Sequence, residues 1–209
     1  MRKFERETTV AAPLLRDNVD TDVIIRVERL LGTARQSLGP WCFEALRYLP
    51  DGSENPGFVL NQPPYRSAAI LLAGPNFGCG SSREGAVWAL QGFGVRCVIA
   101  PSFGELFLGN CFQNGLLPVI LEEADIRAIA AEVEPNPRIN LVTVDLNRRQ
   151  VELPSGRQFE FAVAQMRREA LLRGLDTIGL TLARDGEIGS FQTADHRTRP
   201  WIYETLEQE

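Results

Sequence analysis

Histidine and lysine are almost missing from this chain. Of 209 residues one is histidine, and of 22 basic residues only Lys3 is lysine. A Schiff base or a P-loop amine would have to be Lys3, at the very start of the chain. A Ser–His–Asp triad would have to draw its base from His196, in an aperiodic stretch near the end, where a lone histidine reads as an ordinary surface residue. Cysteine is sparse as well. Cys42, Cys79, Cys97 and Cys111 form no CxxC pair, so their spacing offers no disulfide framework and no zinc or iron–sulfur site built by this chain alone. No apolar run approaches the ~18 residues of a membrane helix, and the opening MRKFERETTV lacks the apolar core of a secretion signal. Positive charge is in deficit: the net charge is −5 and the pI about 5.1, which argues against nucleic-acid or acidic-membrane partners. The expected setting is the cytoplasm.

What is present reads as a globular protein, 44% hydrophobic and 23% charged. A length of 209 residues fits a single domain over 1–209. Residues 6–15 read as an early strand, and NVDTDVII (18–25) as two carboxylates around a threonine running into a short apolar strand. Residues 31–66, with LPDGSENPG and NQPP, are dense in turn signals and read as a long loop or lid. The centre is the most regular part. SAAILLAG, VRCVIAP and LLPVIL read as buried strands, separated by GSSREGAVWALQGFG and SFGELFLGNCFQNG as helices. That alternation predicts a βαβαβ core with parallel strands. EEADIRAIAAEVE then reads as a surface helix. INLVTVDLNRRQVELPSGRQFEF alternates and turns twice, an antiparallel meander, and AVAQMRREALLRGL reads as a last helix. The tail at 186–209 shows no period.

The stretch FGCGSSREG carries the chemistry. Ser81 and Glu84 match a capping box, as do Ser102 and Glu105 at the next helix, so one reading is simply two capped helices. The other reading starts from position. The loop lies where a buried strand ends and a helix begins, the place where open parallel sheets bind ligands. Gly78 and Gly80 let backbone approach a ligand, helix N-termini attract anions, and Arg83 offers a planar fork for a carboxylate. Neither GxxxxGK[ST] nor GxGxxG is present, which leaves a carboxylate favoured over a nucleotide.

NVDTDVII, NFGCGSSREGA, VIAPSFGELFLGNCFQNGLLPV and GLDTIGLTL, in this order over roughly residues 5–183, resemble the family of 3-isopropylmalate dehydratase small subunits, the swivelling domain of the aconitase superfamily. The resemblance implies an α/β fold, a three-layer β/β/α domain with a mixed sheet, in which the βαβαβ core is joined by the meander. It implies a hydro-lyase that interconverts 2-isopropylmalate and 3-isopropylmalate by dehydration and rehydration, in leucine biosynthesis. The partner would be a large subunit carrying a [4Fe–4S] cluster, with no cofactor or metal bound by this chain. It further implies Ser81 as the catalytic base, with Gly80, Ser82 and Arg83 holding a small dicarboxylate and Asp20, Thr21 and Asp22 behind them.

Two positions depart from the family pattern. Gly85 stands where the family usually has histidine, and Arg26 where it usually has proline after the DTDxII motif. Arg26 is therefore an added candidate for substrate contact, with specificity sought in 27–50. The departures leave open another 2-hydroxy diacid (methylmalate, dimethylmalate or homocitrate) or a non-catalytic anion-binding paralogue.

Overall fold

The early strand at 6–15 is two strands. β1 (Arg6–Thr9) and β2 (Ala11–Leu14) are separated by Val10 alone and enter different sheets. The computed structural model describes residues 1–203. After β2, NVDTDVII does not run into a strand. It winds into a short helix, α1 (Thr21–Ile24), because the Asp20 carboxylate caps it, accepting the Val23 N–H at 2.7 Å. The cap overrides the strand preference of the β-branched residues that follow.

The turn-rich segment 31–66 is packed rather than loose. The short helices α2 (Val27–Leu30) and α3 (Glu44–Arg47) and 3-10 turns at Arg35–Ser37, Gly39–Trp41 and Val59–Asn61 fill most of its neighbourhood. Leu38, Phe43 and Leu60 are 1%, 0% and 1% exposed, and each such burial stabilises by roughly 1.5–3 kcal/mol. Gly39 explains the tight seating of this segment: a Cβ there would lie 2.2 Å from the Gly92 carbonyl oxygen.

The central alternation follows as read. β3 (Ile70–Ala73), α4 (Glu84–Phe93), β4 (Cys97–Ala100), α5 (Glu105–Asn114) and β5 (Leu117–Ile120) come in succession, then α6 (Glu123–Val133). The meander is β6 (Val142–Asp145), β7 (Gln150–Glu152) and β8 (Gln158–Glu160), closed by α7 (Gln165–Arg173). The parallel sheet has the order β2-β3-β4-β5 and the antiparallel sheet β1-β6-β7-β8. Parallel and antiparallel strands thus segregate into two sheets.

The apolar runs are continuous because both faces of the parallel sheet are covered. Leu71, Ala73, Val98 and Ala100 pack with Ala86 and Leu90 of α4 and Phe107 of α5. Ile70, Leu72, Cys97 and Ile99 pack on the other side with Val142, Val144 and Val151 of the antiparallel sheet and with Ile126 and Ile129 of α6. The layers are therefore α, parallel β and antiparallel β.

Met1–Gly174 forms one compact unit, and a second begins at Leu175. The second unit contains α8 (Thr177–Leu182), α9 (Asp185–Thr198) and a 3-10 turn at Pro200–Ile202. The stretch from Gly186 that shows no period in sequence is thus helical as far as Thr198. Its polar residues serve the helix itself: Ser190 and Thr193 donate to carbonyls one turn back, each at 2.8 Å. With Ile188 and Phe191 as its only large apolar residues, this helix carries no hydrophobic period to read. Residues 204–209 of the tail lie outside the described residues.

Candidate functional site

Two loops at the carboxyl ends of β2 and β3 are stitched together to make the site. The Gly78 N–H donates to the Val19 carbonyl at 2.7 Å, and the Thr21 N–H donates to the Cys79 carbonyl at 3.0 Å. Asn18 and Asn76 both adopt left-handed backbone, with φ of 52° and 59°. The Asn76 side-chain amide reaches Asn18 Oδ1 at 2.8 Å. Asparagine tolerates that conformation better than most residues.

The second capped-helix motif, SFGE, proves to be the buttress under the first loop. The Gly104 N–H donates to the Phe77 carbonyl at 2.9 Å, and the Asn76 N–H donates to Ser102 Oγ at 2.8 Å. Phe77 meets Phe107 edge-on with centroids 5.6 Å apart. Gly78, at φ +73°, sits directly on that ring: a Cβ would lie 2.2 Å from Phe107 Cγ. Gly78→Ala therefore combines left-handed strain with overpacking, each worth roughly 1–3 kcal/mol. Thermal melts should show a large loss for Gly78→Ala and partial recovery when Phe107→Leu is added; an unshifted melt would contradict this packing.

Neither serine of the two S-x-x-E motifs is a helix cap. α4 begins at Glu84 with Arg83 in the cap position, and α5 begins at Glu105 with Gly104 in that position. Ser81 is exposed, and its hydroxyl has no hydrogen-bond partner among the described residues. Its carbonyl, by contrast, is fixed by the fully buried Thr21, whose hydroxyl donates to it at 3.1 Å. Gly80, at φ +88°, supplies the turn beside Asp20 and Thr21. Ser82 is exposed next to Ser81.

Asp22 joins this turn across 61 positions of sequence, where its carboxylate pairs with one terminal nitrogen of Arg83. The Arg83 side chain is 19% exposed and that of Asp22 57%. A guanidinium has five N–H donors, so this single contact leaves an edge for a second carboxylate. Gly80, Ser81, Ser82, Arg83, Thr21 and Asp22 thus come together, and Asp20 lies beside them as the cap of α1.

Arg26 stands apart from this knot. Among the described residues it pairs with neither Asp20 nor Asp22; it lines a separate open pocket of about 550 Å³ with Trp41, Glu44 and Tyr48. Glu44 in that pocket is held below the usual carboxylate range, chiefly by hydrogen bonds from Arg29 and less by the charges of Arg29 and Arg26.

The cysteines of the described residues are mostly sequestered. Cys42, Cys97 and Cys111 are buried, and burial pushes all three thiols well above their ordinary range. Among the described residues, no three His, Cys, Asp or Glu side chains gather to hold an ion. No helix among them is long and apolar enough to cross a membrane.

Residues 1–124 match the aconitase C-terminal domain family. The 3-isopropylmalate dehydratase small subunit of Cupriavidus necator is 49% identical over 205 residues, covering 97% of this chain and 99% of its own length. That of Gluconacetobacter diazotrophicus is 50% identical over 203 residues, covering 96% and 97%. The chain belongs to the 3-isopropylmalate dehydratase small-subunit family. The crystal structure of 3-isopropylmalate dehydratase from Methanocaldococcus jannaschii shares the fold of this family member, with a TM-score of 0.63 at 24% identity, covering 90% of this chain and 99% of that one.

Gly85 is closely packed against α2. A Cβ at Gly85 would lie 2.5 Å from Leu30 Cδ2. Leu30, the last residue of α2, fills the notch where a larger side chain would sit. Sequence reasoning missed one further residue at the site. Asn114-Gly115 reads only as a helix stop, yet the Asn114 side chain reaches back to Glu84, donating to its carboxylate at 2.7 Å.

Proposed function

We propose that this chain is the small subunit of a two-subunit hydro-lyase that interconverts 2-isopropylmalate and 3-isopropylmalate, and that Ser81 and Arg83 are its reacting and binding groups. The observation that carries the reading is the freed Ser81 hydroxyl. It is exposed and released from any capping role, on a turn whose Ser81 carbonyl is fixed by Thr21 two residues before Arg83.

On this reading Ser81 removes the proton from the carbon next to a substrate carboxylate in the dehydration direction and returns it on hydration. A serine alkoxide needs nearby positive potential. The first turn of α4 and Arg83 both supply it. The free edge of Arg83, with Ser82, holds the carboxylate, while Asp22 fixes the opposite edge of the guanidinium. We assign the iron–sulfur chemistry that the sequence resemblance implies to a large-subunit partner, because three of this chain's four cysteines are buried and, among the described residues, none of the four lies in a group of ligands. The relatives' shared name favours 3-isopropylmalate over methylmalate, dimethylmalate or homocitrate, and over a non-catalytic role. Arg26, outside the knot, is assigned to the rim rather than to the bound carboxylate. Leucine biosynthesis in the cytoplasm is the setting this activity implies.

The purified chain alone is expected to be folded and inactive, and to turn over 2-isopropylmalate when mixed with a cluster-bearing large subunit. Assaying both samples on a panel of 2-hydroxy diacids is the test. Substantial turnover by the lone, metal-free chain would sink the split-site reading, and preference for another diacid would replace the substrate.

A further inference from the structure

We infer that Asn114 is a positioning residue for the Ser81–Arg83 turn, acting through Glu84. The inference rests on the proposed function for its catalytic consequence, but its structural part stands separately.

Asn114 ends α5 and is 5% exposed. A side-chain amide has two donor hydrogens and two acceptor positions, and here all four are filled. Oδ1 accepts from Arg35 Nη2 at 2.7 Å and from Trp88 Nε1 at 3.0 Å. Nδ2 donates to Glu84 Oε1 at 2.7 Å and to the Asn110 carbonyl at 2.9 Å. The Arg35 guanidinium also lies 5.0 Å from the Trp88 ring centroid. Ending a helix requires none of these side-chain bonds, because Gly115 already supplies the left-handed stop at φ 81°. The amide instead binds three stretches that are distant in sequence: the packed segment carrying Arg35, the start of α4 and the end of α5.

Glu84 is the first residue of α4 and directly follows Arg83. The cap position makes no side-chain hydrogen bond, so α4 is not anchored at its start in the usual way. The charge-assisted bond from Asn114 to Glu84 takes that role. On the other side of the turn, the Thr21 hydroxyl holds the Ser81 carbonyl at 3.1 Å. The reacting turn therefore hangs between two fixed points, Thr21 before it and Asn114 after it. A misplacement of ~1 Å in such a group lowers a rate by as much as ~10²-fold, so loosening the second point should be felt in catalysis.

The test uses three variants reconstituted with the cluster-bearing large subunit. Asn114→Asp keeps the acceptor for Arg35 and Trp88 but turns a carboxylate toward Glu84. Glu84→Gln combined with Asn114→Asp reverses donor and acceptor and restores the bond between these two positions, while the bond to the Asn110 carbonyl stays lost in both variants that carry Asn114→Asp. Glu84→Ala removes the link at an exposed position. Turnover is expected to fall by ~10²-fold in Asn114→Asp and in Glu84→Ala, with kcat lowered and KM raised together. The reciprocal double variant should regain a clear part of the rate lost in Asn114→Asp. Melting temperature should move little in Glu84→Ala, which a merely structural role would not allow alongside a lost rate. Normal turnover by Glu84→Ala overturns the inference, as does a double variant no better than Asn114→Asp; if Asn114→Asp does not fold, Glu84→Ala decides alone. Amide exchange on the isolated chain separates this from failure of the functional reading. The Ala86 N–H, bonded to the Arg83 carbonyl at 3.1 Å, should exchange ~10-fold faster in Glu84→Ala whichever diacid the enzyme uses, and unchanged exchange also overturns the inference.

Discussion

Alanine at Ser81 is expected to lower kcat by roughly 10²- to 10⁴-fold, the range for loss of a positioned acid–base group, while the protein melts as before. The two halves of that result come from different atoms. The hydroxyl makes no hydrogen bond among the described residues, so nothing in the fold depends on it. The carbonyl, which alanine retains, is what Thr21 holds. A serine acting as a helix cap would give the reverse pattern, a loss of about 1 kcal/mol in stability with the rate intact. That pattern is no longer available, since α4 starts three positions later, at Glu84. Melting curves beside turnover with the large subunit would check both halves. Ser82→Ala is the internal control and should change substrate affinity more than the proton step. A Ser81→Ala enzyme with normal kcat would remove the residue from the chemistry.

Lysine at Arg83 should damage the enzyme far beyond what an exchange of like charges implies. The guanidinium serves two carboxylates from two edges: Asp22 on one and, in the proposed reaction, the substrate on the other. An ammonium is a point charge that cannot present two parallel bonds while still holding Asp22. Losing one charge-assisted bond to substrate is worth roughly 1.5–3 kcal/mol, or about 10- to 150-fold, and should appear mainly in KM. Stability should change little, because the Asp22 partner is more than half exposed and solvent weakens such a pair. Steady-state kinetics and a melt on the same sample distinguish the two effects. Equal KM values for the wild-type and lysine forms would place Arg83 outside the binding site.

The alternation of strands and helices from Ile70 to Val133 was readable because each strand is a short unbroken apolar run and each helix ends at a glycine or a proline-rich turn. The site loop was readable for the same reason, as the junction between one such run and the next helix. What resisted reading was decided by partners distant in sequence. Nothing around Val10 announces a change of sheet; only pairing with Val142 on one side and Ile70 on the other separates β1 from β2. NVDTDVII has the composition of a strand, and one capping carboxylate turns it into a helix. S-x-x-E offers a serine cap at two places as one of two readings, and at both the glutamate, not the serine, opens the helix. Asn114 carries four side-chain bonds whose partners span Arg35 to Asn110, and no local pattern marks such a hub.

The single residue between β1 and β2 also sets an order of events during synthesis. β2 finds its neighbour β3 first, and the parallel sheet has all its strands once Ile120 has emerged. β1, already pinned next to it, has no partner until Val142–Asp145 leaves the ribosome. At ~5–20 residues per second that interval is on the order of seconds. For that time the nascent chain displays an unpaired strand edge, RETT, whose arginine and glutamate at Arg6 and Glu7 keep it charged. Charge on a waiting edge discourages pairing with a neighbouring chain, so the two charged residues of β1 are expected to protect the chain before it is finished.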